Sequence, residues 1–441
     1  MSIGKTIKRI FKILKYILYS FLIIVALLLI IGFAKPLWHN WVTYPRLEKE
    51  VAEFDLLRKE TPKTTALNTY RGVMHVHSYL SHDSEGTLND LVSAAKNDGI
   101  DFIFLTDHPR FDLDSFPRGY HGNYDGILIE PGSEKHGYVC WPLDSMVINL
   151  KTNPDTIAKN VVQHGGIVFF SHTEEKRNWG NPWYQGMEMY NFHTDTKDEK
   201  LLPNIFNFIV NGKSYRIWAL REMFDEQTTI LARWDSLNNY RHIVGFSAVD
   251  THENQNIRAR YLPDGRVEWV GPNADIIDTA EVTLFNKWMF HEPDENGWIF
   301  RLMIDTYKEG FNYITNYVFA DTLSTTSLAE NIKKGHLYTA FKSLGDAEGF
   351  NYFSKNEAGK INAILGDSIQ IGKIQSLNSV TPLPCQFRLI YNGEKVDNST
   401  IDGYSYSWTG PVKKGAYRIE AHIKLNGKYV PWIYSNPIYV Y

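Results

Sequence analysis

Val73-Met74-His75-Val76-His77 and Ile100-Asp101-Phe102-Ile103-Phe104-Leu105-Thr106-Asp107-His108 are two apolar runs, the first carrying two imidazoles at its end and the second closing on a carboxylate and an imidazole. Between them, Thr87–Asp98 places Leu88, Leu91, Val92 and Ala95 on one helical face, and Gly99 stops the helix. The order is strand, helix, strand, and it recurs. Thr156–His164 reads as a helix, Gly165-Gly166 as its stop, and Ile167–Phe170 as a strand ending in Ser171-His172. Gly186–Tyr190 and Ile243–Val249 add two more strands, the second closing on Asp250. Units of this kind predict an α/β protein with a mostly parallel sheet. In such sheets the chemistry gathers at the carboxyl ends of the strands. A closed or nearly closed (β/α) barrel is expected ahead of an open doubly wound sheet.

The residues at these strand ends form an inventory that folding alone does not require. His75 and His77 alternate along a strand, so both are expected on one face as ligands of one ion. His108 ends the next strand, with Asp107 placed to orient it. In the loop Ser78–Gly86, His82 and Asp83 are neighbours, so one is expected as ligand and the other behind it. Glu134, in Pro131-Gly132-Ser133-Glu134, is the expected bridging carboxylate, and His172 follows Phe169-Phe170-Ser171. Asp250 and His252 flank Thr251 after a buried run, and a metal would supply the partner that the buried charge needs. Imidazole and carboxylate suit zinc, manganese or iron, so two or three divalent ions are expected. Arg177, Asn191 and His193 are weaker candidates, Arg177 because a guanidinium suits phosphate oxygens.

These motifs resemble, in order, those of the PHP superfamily, the domain named for polymerases and histidinol phosphatase. The similarity runs from His75-Val76-His77-Ser78 through Ser81-His82-Asp83-Ser84-Glu85-Gly86-Thr87 to Leu105-Thr106-Asp107-His108. It continues at Gly132-Ser133-Glu134, Val168-Phe169-Phe170-Ser171-His172 and Ser247-Ala248-Val249-Asp250-Thr251-His252. The resemblance spans about Thr69 to Lys342 and implies a distorted (β/α)7 barrel with phosphoesterase activity. It implies that His75, His77, Glu134 and Asp250 hold one metal, and that Asp83 (or His82), His108 and Glu134 hold a second. His172 and His252 match ligands of a third position. Where many members carry another histidine after the second motif, this chain has Tyr138, and His136 is the nearby replacement. The implied reaction is phosphoester hydrolysis by a metal-bound hydroxide, with Arg177 or His193 assisting and Asp250 or a nearby histidine taking the proton. The alternatives are an amidohydrolase-like C–N hydrolase and a non-catalytic extracytoplasmic binding protein.

The remaining features bound the setting. At 441 residues, with 43% hydrophobic and 14% aromatic residues, the chain supports a large core and a second, smaller domain. A net charge of −4 gives no basic face for nucleic acid. Cys140 and Cys385 are expected as two buried free thiols. Lys5, Lys8, Arg9, Lys12 and Lys15 precede the uncharged run Tyr16–Ala34, which at roughly 1.5 Å per residue is long enough to cross a bilayer. The basic cluster predicts a cytoplasmic N-terminus and an extracytoplasmic catalytic domain, with Trp38 and Trp41 in the far interface. The expected organisation is an anchor over 1–35, a linker or helix over 36–68, the metallohydrolase over 69–345 and a small β-sandwich over 350–441. Thr194–Tyr240 reads as a helical insertion and Arg258–Pro272 as a hairpin around Pro263-Asp264-Gly265. The expected partners are a phosphorylated small molecule or an envelope component, and the membrane.

Overall fold

The structure is a computed structural model that describes residues 3–109, 118–144, 149, 151–195, 201–253, 256–271, 275–284, 286–294, 297–303, 306–396 and 402–441. The fold is mixed α/β and divides into two compact units, residues 1–53 with 195–225, and residues 54–194 with 226–441.

The larger unit holds the strands β1 (Asn68–Val76), β2 (Phe102–Leu105), β3 (Gly122–Tyr124), β4 (Ile127–Glu130), β5 (Ser133–Lys135), β6 (Tyr138–Trp141), β7 (Ile167–Phe170), β8 (Gly186–Asn191) and β9 (Val244–Thr251). Parallel pairing runs β4–β2–β1–β9–β8–β7. The parallel sheet expected from the repeated strand–helix units is therefore present. The run then turns antiparallel, with β6 on β7 and β5 on β6. β2, β4, β6, β7, β8 and β9 are buried at every position, as strands covered on both faces must be. Met74, Phe102, Phe104, Trp141, Phe169 and Phe246 lie in one core cluster, each contributing on the order of 1.5–3 kcal/mol by burial. Trp141 also donates its indole N–H to the Leu105 carbonyl at 2.8 Å, tying β6 to the end of β2. Gly72 stands opposite Phe102 in the β1–β2 register, and a Cβ there would come within 2.0 Å of the Phe102 ring.

The helix after β1 spans Leu88–Asp98. Thr87 caps it in a reciprocal box with Asp90, and Gly99 ends it in the left-handed conformation. The hairpin at Pro263-Asp264-Gly265 forms, with Tyr261 paired to Val267, while Pro272 lies outside the described residues. It belongs to a separate antiparallel sheet of Asn256–Tyr261, Val267–Val270, Ile276–Ala280 and Trp298–Met303. Toward the C-terminus, the sixteen-residue strand Ser376–Tyr391 pairs with Asn351–Lys355, Asp402–Trp408 and Gly415–Leu425. Lys428–Ser435 continues this antiparallel region and bonds to Leu337–Ala340, which itself pairs with Thr315–Ala320 beside β1. Cys140 and Cys385 are buried free thiols, as expected.

In the smaller unit, helix Ile3–Trp38 leads through the π-helical turn His39–Thr43 into helix Tyr44–Asp55. It is the one helix among the described residues that is long and apolar enough to cross a membrane. The insertion contributes helices Leu201–Asn211 and Arg216–Arg221 to this unit.

Candidate metal centre

The expected ligands converge around the ends of β1, β2, β7 and β9, joined by Glu134 from β5 and Asp83 from the loop after β1, and the backbone is unusual at three of those ends. His75, His172 and Asp250 adopt φ of +62°, +46° and +49°. Non-glycine residues reach this region at a cost of about 1–3 kcal/mol and keep it only where the surroundings enforce it. At His75 the excursion coincides with a register shift between Met74 and Val76 against both neighbouring strands. His75 and His77 therefore converge through a bulge at the strand end, in place of the plain alternation that the sequence suggests.

Two groups of potential ligands result, with the ligand atoms of each within 4.8 Å of one another: His75, His77, Glu134 and Asp250, and His77, Asp83, His108 and His252. Nε2 of His75 is 3.0 Å from Glu134 Oε2 and 3.3 Å from Asp250 Oδ1, and Nε2 of His77 is 3.5 Å from each of the same two oxygens. Asp83 Oδ2 lies 3.4 Å from His108 Nε2 and 3.5 Å from His252 Nε2. Glu134 reaches further. Its Oε2 is 3.7 Å from His108 Nε2, and its Oε1 is 3.1 Å from His172 Nε2 and 2.9 Å from the Ser171 hydroxyl that donates to it. This is the disposition of a bridging carboxylate. His172 Nε2 is also 3.7 Å from Asp250 Oδ2.

The donor set fits divalent ions. His77 Nε2 is fully buried without a hydrogen-bond partner, aimed between two carboxylate oxygens. Ligands about 2.1 Å from a tetrahedral ion stand roughly 3.4 Å apart, and the imidazole–carboxylate distances of the first group run from 3.0 to 3.5 Å. Without an ion the carboxylates perturb the imidazoles. Burial opposes a proton on His75, but Asp250, Glu134 and Glu188 outweigh it and raise its pKa well above 6.5. For His77, burial is outweighed by Asp250 and Glu134, and the pKa rises to about 9. For His172, burial is outweighed by Glu134 and Glu174, and the pKa rises to about 11. His252 goes the other way, to about 3, through burial and the neighbouring His77. Glu134 and Asp250 stay far below ordinary carboxylate values because the facing imidazoles outweigh their desolvation.

The structure brings together most, though not all, of the sequence candidates. Asp83 is buried in the centre while His82 is exposed, its ring 5.2 Å from that of His108. Of these neighbours, Asp83 belongs to the ligand group and His82 does not. His136 sits exposed in the turn between β5 and β6 and joins neither group. His252 groups with Asp83 and His108, whereas His172 stands against Glu134 and Asp250. His252 Nε2 is also 3.8 Å from Asp250 Oδ1, so the two imidazoles approach different oxygens of that carboxylate. Arg177 donates Nε to the Ser171 carbonyl at 2.9 Å and Nη1 to Glu175 at 3.1 Å, bracing the loop after β7. His193 is half-buried, its ring 5.7 Å from that of His252. Asp107 accepts the amide and hydroxyl of Ser78 at 2.6 and 2.8 Å, and so fixes the start of the Asp83 loop.

Glu188 is the residue that sequence reasoning missed. Fully buried in β8, it lies 2.5 Å from His75 Nδ1 and accepts the His172 amide at 2.7 Å and the Asn191 side chain at 3.0 Å. Asn191 also donates to Asp250 at 3.1 Å. A carboxylate on the far nitrogen of a ligand histidine sets its tautomer and strengthens its donation. The signal was present as a lone acid inside the apolar run Gly186-Met187-Glu188-Met189-Tyr190, where a charge without a partner would be costly.

Residues 74–132 match the PHP domain. That stretch carries His75, His77, Asp83 and His108, while Glu134, His172, Asp250 and His252 lie beyond it. A two-domain protein of Bacteroides vulgatus containing a predicted PHP-like metal-dependent phosphoesterase is a structural neighbour. It shares 14% identity at a TM-score of 0.35, with 86% of this chain and 98% of that chain covered. No curated protein matches.

Proposed function

We propose that this chain is a metal-dependent hydrolase of phosphoesters. The observation that carries the reading is the pair of adjoining ligand groups meeting at His77, with Glu134 extending between them. His75, His77, Glu134 and Asp250 would hold one ion, and Asp83, His108 and His252 a second, with Glu134 shared. His172, beside Glu134 and Asp250, is placed to complete a third position. Divalent ions in such sites polarise a phosphoryl oxygen and lower the pKa of water. The chain's own residues supply the rest. Glu188 and Asn191 hold His75 and Asp250 in orientation, and Ser171 holds Glu134. Asp250, whose carboxylate form the facing imidazoles stabilise, would serve as a ligand of the first ion. His193, outside both ligand groups and next to His252, is the better-placed proton carrier.

The strand order, running through parallel pairs and closing toward β5 by the Asp107–Ser133 bridge, supports a distorted (β/α)7 barrel. The antiparallel pairing after Asn351 supports a C-terminal sandwich. The basic N-terminus followed by an apolar helix supports a single-pass anchor with the hydrolase outside, where envelope or small-molecule phosphoesters would be the substrates.

The test is metal analysis of the purified protein paired with hydrolysis of an aryl phosphate and an aryl phosphodiester. Two or more equivalents of zinc, manganese or iron are expected, with turnover abolished in His75→Ala and Asp250→Ala. A protein that binds no metal overturns the reading, and metal without phosphoester turnover redirects it to C–N hydrolysis or binding.

A further inference from the structure

The insertion helix Leu201–Asn211 packs on the apolar helix at one definite level. Phe206 meets Phe33 edge-on with ring centres 4.7 Å apart, and a Cβ on Gly32 would come within 2.9 Å of the Phe206 ring. Asn211 donates to the Pro36 carbonyl at 3.0 Å and accepts from the Asn40 side chain at 3.0 Å. Asn207 bonds to Asn211 at 2.8 Å and shares hydrogen bonds with the Tyr44 hydroxyl. A small residue at the crossing and side-chain amides as cross-links are how helices associate in lipid.

This leaves the helix with its polarity inverted for a surface element in water. Asn207 and Asn211 are buried against the first helix, while Ile205 and Ile209 face outward, 41% and 66% exposed. Phe208 and Val210 are half-buried beside them. The surface they continue is itself apolar: Leu27 to Ile31 of the first helix are all about half exposed or more. A cleft of about 310 Å³ between the two helices is walled by Ile31, Gly32, Pro203 and Phe206 on its apolar side and by Lys35, paired with Glu222 at 2.6 Å, and His39 toward the turn. The contacts on the first helix and the turn after it run from Gly32 to Asn40. That interval begins in the last turn of the uncharged run and ends beside Trp38 and Trp41, which are 61% and 72% exposed. In a spanning helix such tryptophans mark the headgroup layer.

We infer that helix Leu201–Asn211 is a second membrane element, lying against the anchor with Ile205 and Ile209 in the lipid of the bilayer boundary. The inference rests on the reading of Tyr16–Ala34 as a membrane anchor. Its occupant is lipid because the helix is fastened to the anchor at the depth where lipid must surround both. The insertion between β8 and β9 therefore ties the hydrolase chain to the membrane at a point distant in sequence from the anchor.

The experiment places a nitroxide on Ile205→Cys, Ile209→Cys, Leu28→Cys and Tyr240→Cys in the full-length protein, reconstituted in phosphatidylcholine–phosphatidylglycerol vesicles. Cys140 and Cys385 are buried, and the unsubstituted protein controls for their labelling. Power saturation with oxygen and with a nickel chelate reports depth. Labels at 205, 209 and 28 should favour oxygen, and the label at 240, whose parent Tyr240 is 87% exposed, should favour nickel. Nickel access at 205 and 209 with lipid exposure at 28 overturns this inference alone. Nickel access at 28 overturns the anchor. Shielding of 205 and 209 from both reagents with spin–spin broadening assigns the face to a second copy of the chain and also overturns the inference.

Discussion

Glu188 Oε1 stands 2.5 Å from Nδ1 of His75, inside a strand with no exposed residue, so the histidine that closes β1 is held by a carboxylate from β8. The same Glu188 carboxylate accepts the His172 amide, which links the positions of two candidate ligands. Glu188→Gln should therefore lower metal affinity about 10- to 100-fold with the fold intact, as is typical when such a partner is lost. Competition against a chromogenic chelator, with circular dichroism as the fold control, measures it. Unchanged affinity would show that Glu188 is only a structural charge.

Metal binding should release protons. His77 and His172 have pKa values near 9 and 11 and His75 lies well above 6.5, so in the metal-free protein these imidazoles carry protons at neutral pH. A ligating nitrogen must be deprotonated, so affinity should rise as pH increases from 6 toward 9. Calorimetric titration in two buffers of different ionisation enthalpy counts the protons. Identical heats in both buffers would contradict the prediction.

A second buried charge network sets acid stability. Arg418 pairs with Asp235 at 2.6 and 2.8 Å and with Glu420 at 2.6 Å. Burial raises the Glu420 pKa, but Arg418 and His422 outweigh it and bring it down to about 2 from 4.5. A depressed carboxylate contributes stability that is complete above its unfolded pKa and lost as pH falls through its folded one, here between about 4.5 and 2. The contribution is on the order of 3 kcal/mol at neutral pH. In Glu420→Gln, chemical denaturation should show lower stability at pH 7 and a shallower loss over that interval.

Gly86 and Tyr307 form a steric check on the Asp83 loop. A Cβ on Gly86 would lie 1.7 Å from the Tyr307 hydroxyl, which donates to the His77 carbonyl at 2.5 Å. Gly86→Ala should displace the tyrosine, cost about 1–3 kcal/mol and weaken metal binding, a combination not expected of a remote substitution. Thr87→Ala, one residue on, removes only the helix cap, at a cost of about 1 kcal/mol, and should leave metal affinity unchanged. Thermal melts with and without added metal separate the two effects.

Much of this was legible in the chain itself. Local patterns determine the strand–helix order, because apolar run length and the Thr87 and Gly99 boundary signals act through nearest neighbours. His75, His77, His108, Glu134, His172, Asp250 and His252 could be nominated because polar residues at the ends of buried runs need a partner, and Asp83 because its loop follows the first of those runs. Sequence left His82 and Asp83 level, since adjacent residues in a loop are distinguished only by which one the fold turns inward.

Tertiary structure decided the rest. The left-handed bulge at His75, the grouping of His252 with Asp83, the turning away of His136 and the use of Arg177 on a backbone carbonyl all depend on contacts between strands far apart in sequence. Glu188 has the same cause: an acid in an apolar run announces that it needs a partner, and only the packing of β8 beside β9 and near β1 brings His75 to it. The sequence by itself determined which side chains can bind metal and the order of the strands that carry them, because both are local properties. Which of those side chains meet was decided by long-range packing, because distance in space is set by the whole sheet and not by spacing along the chain.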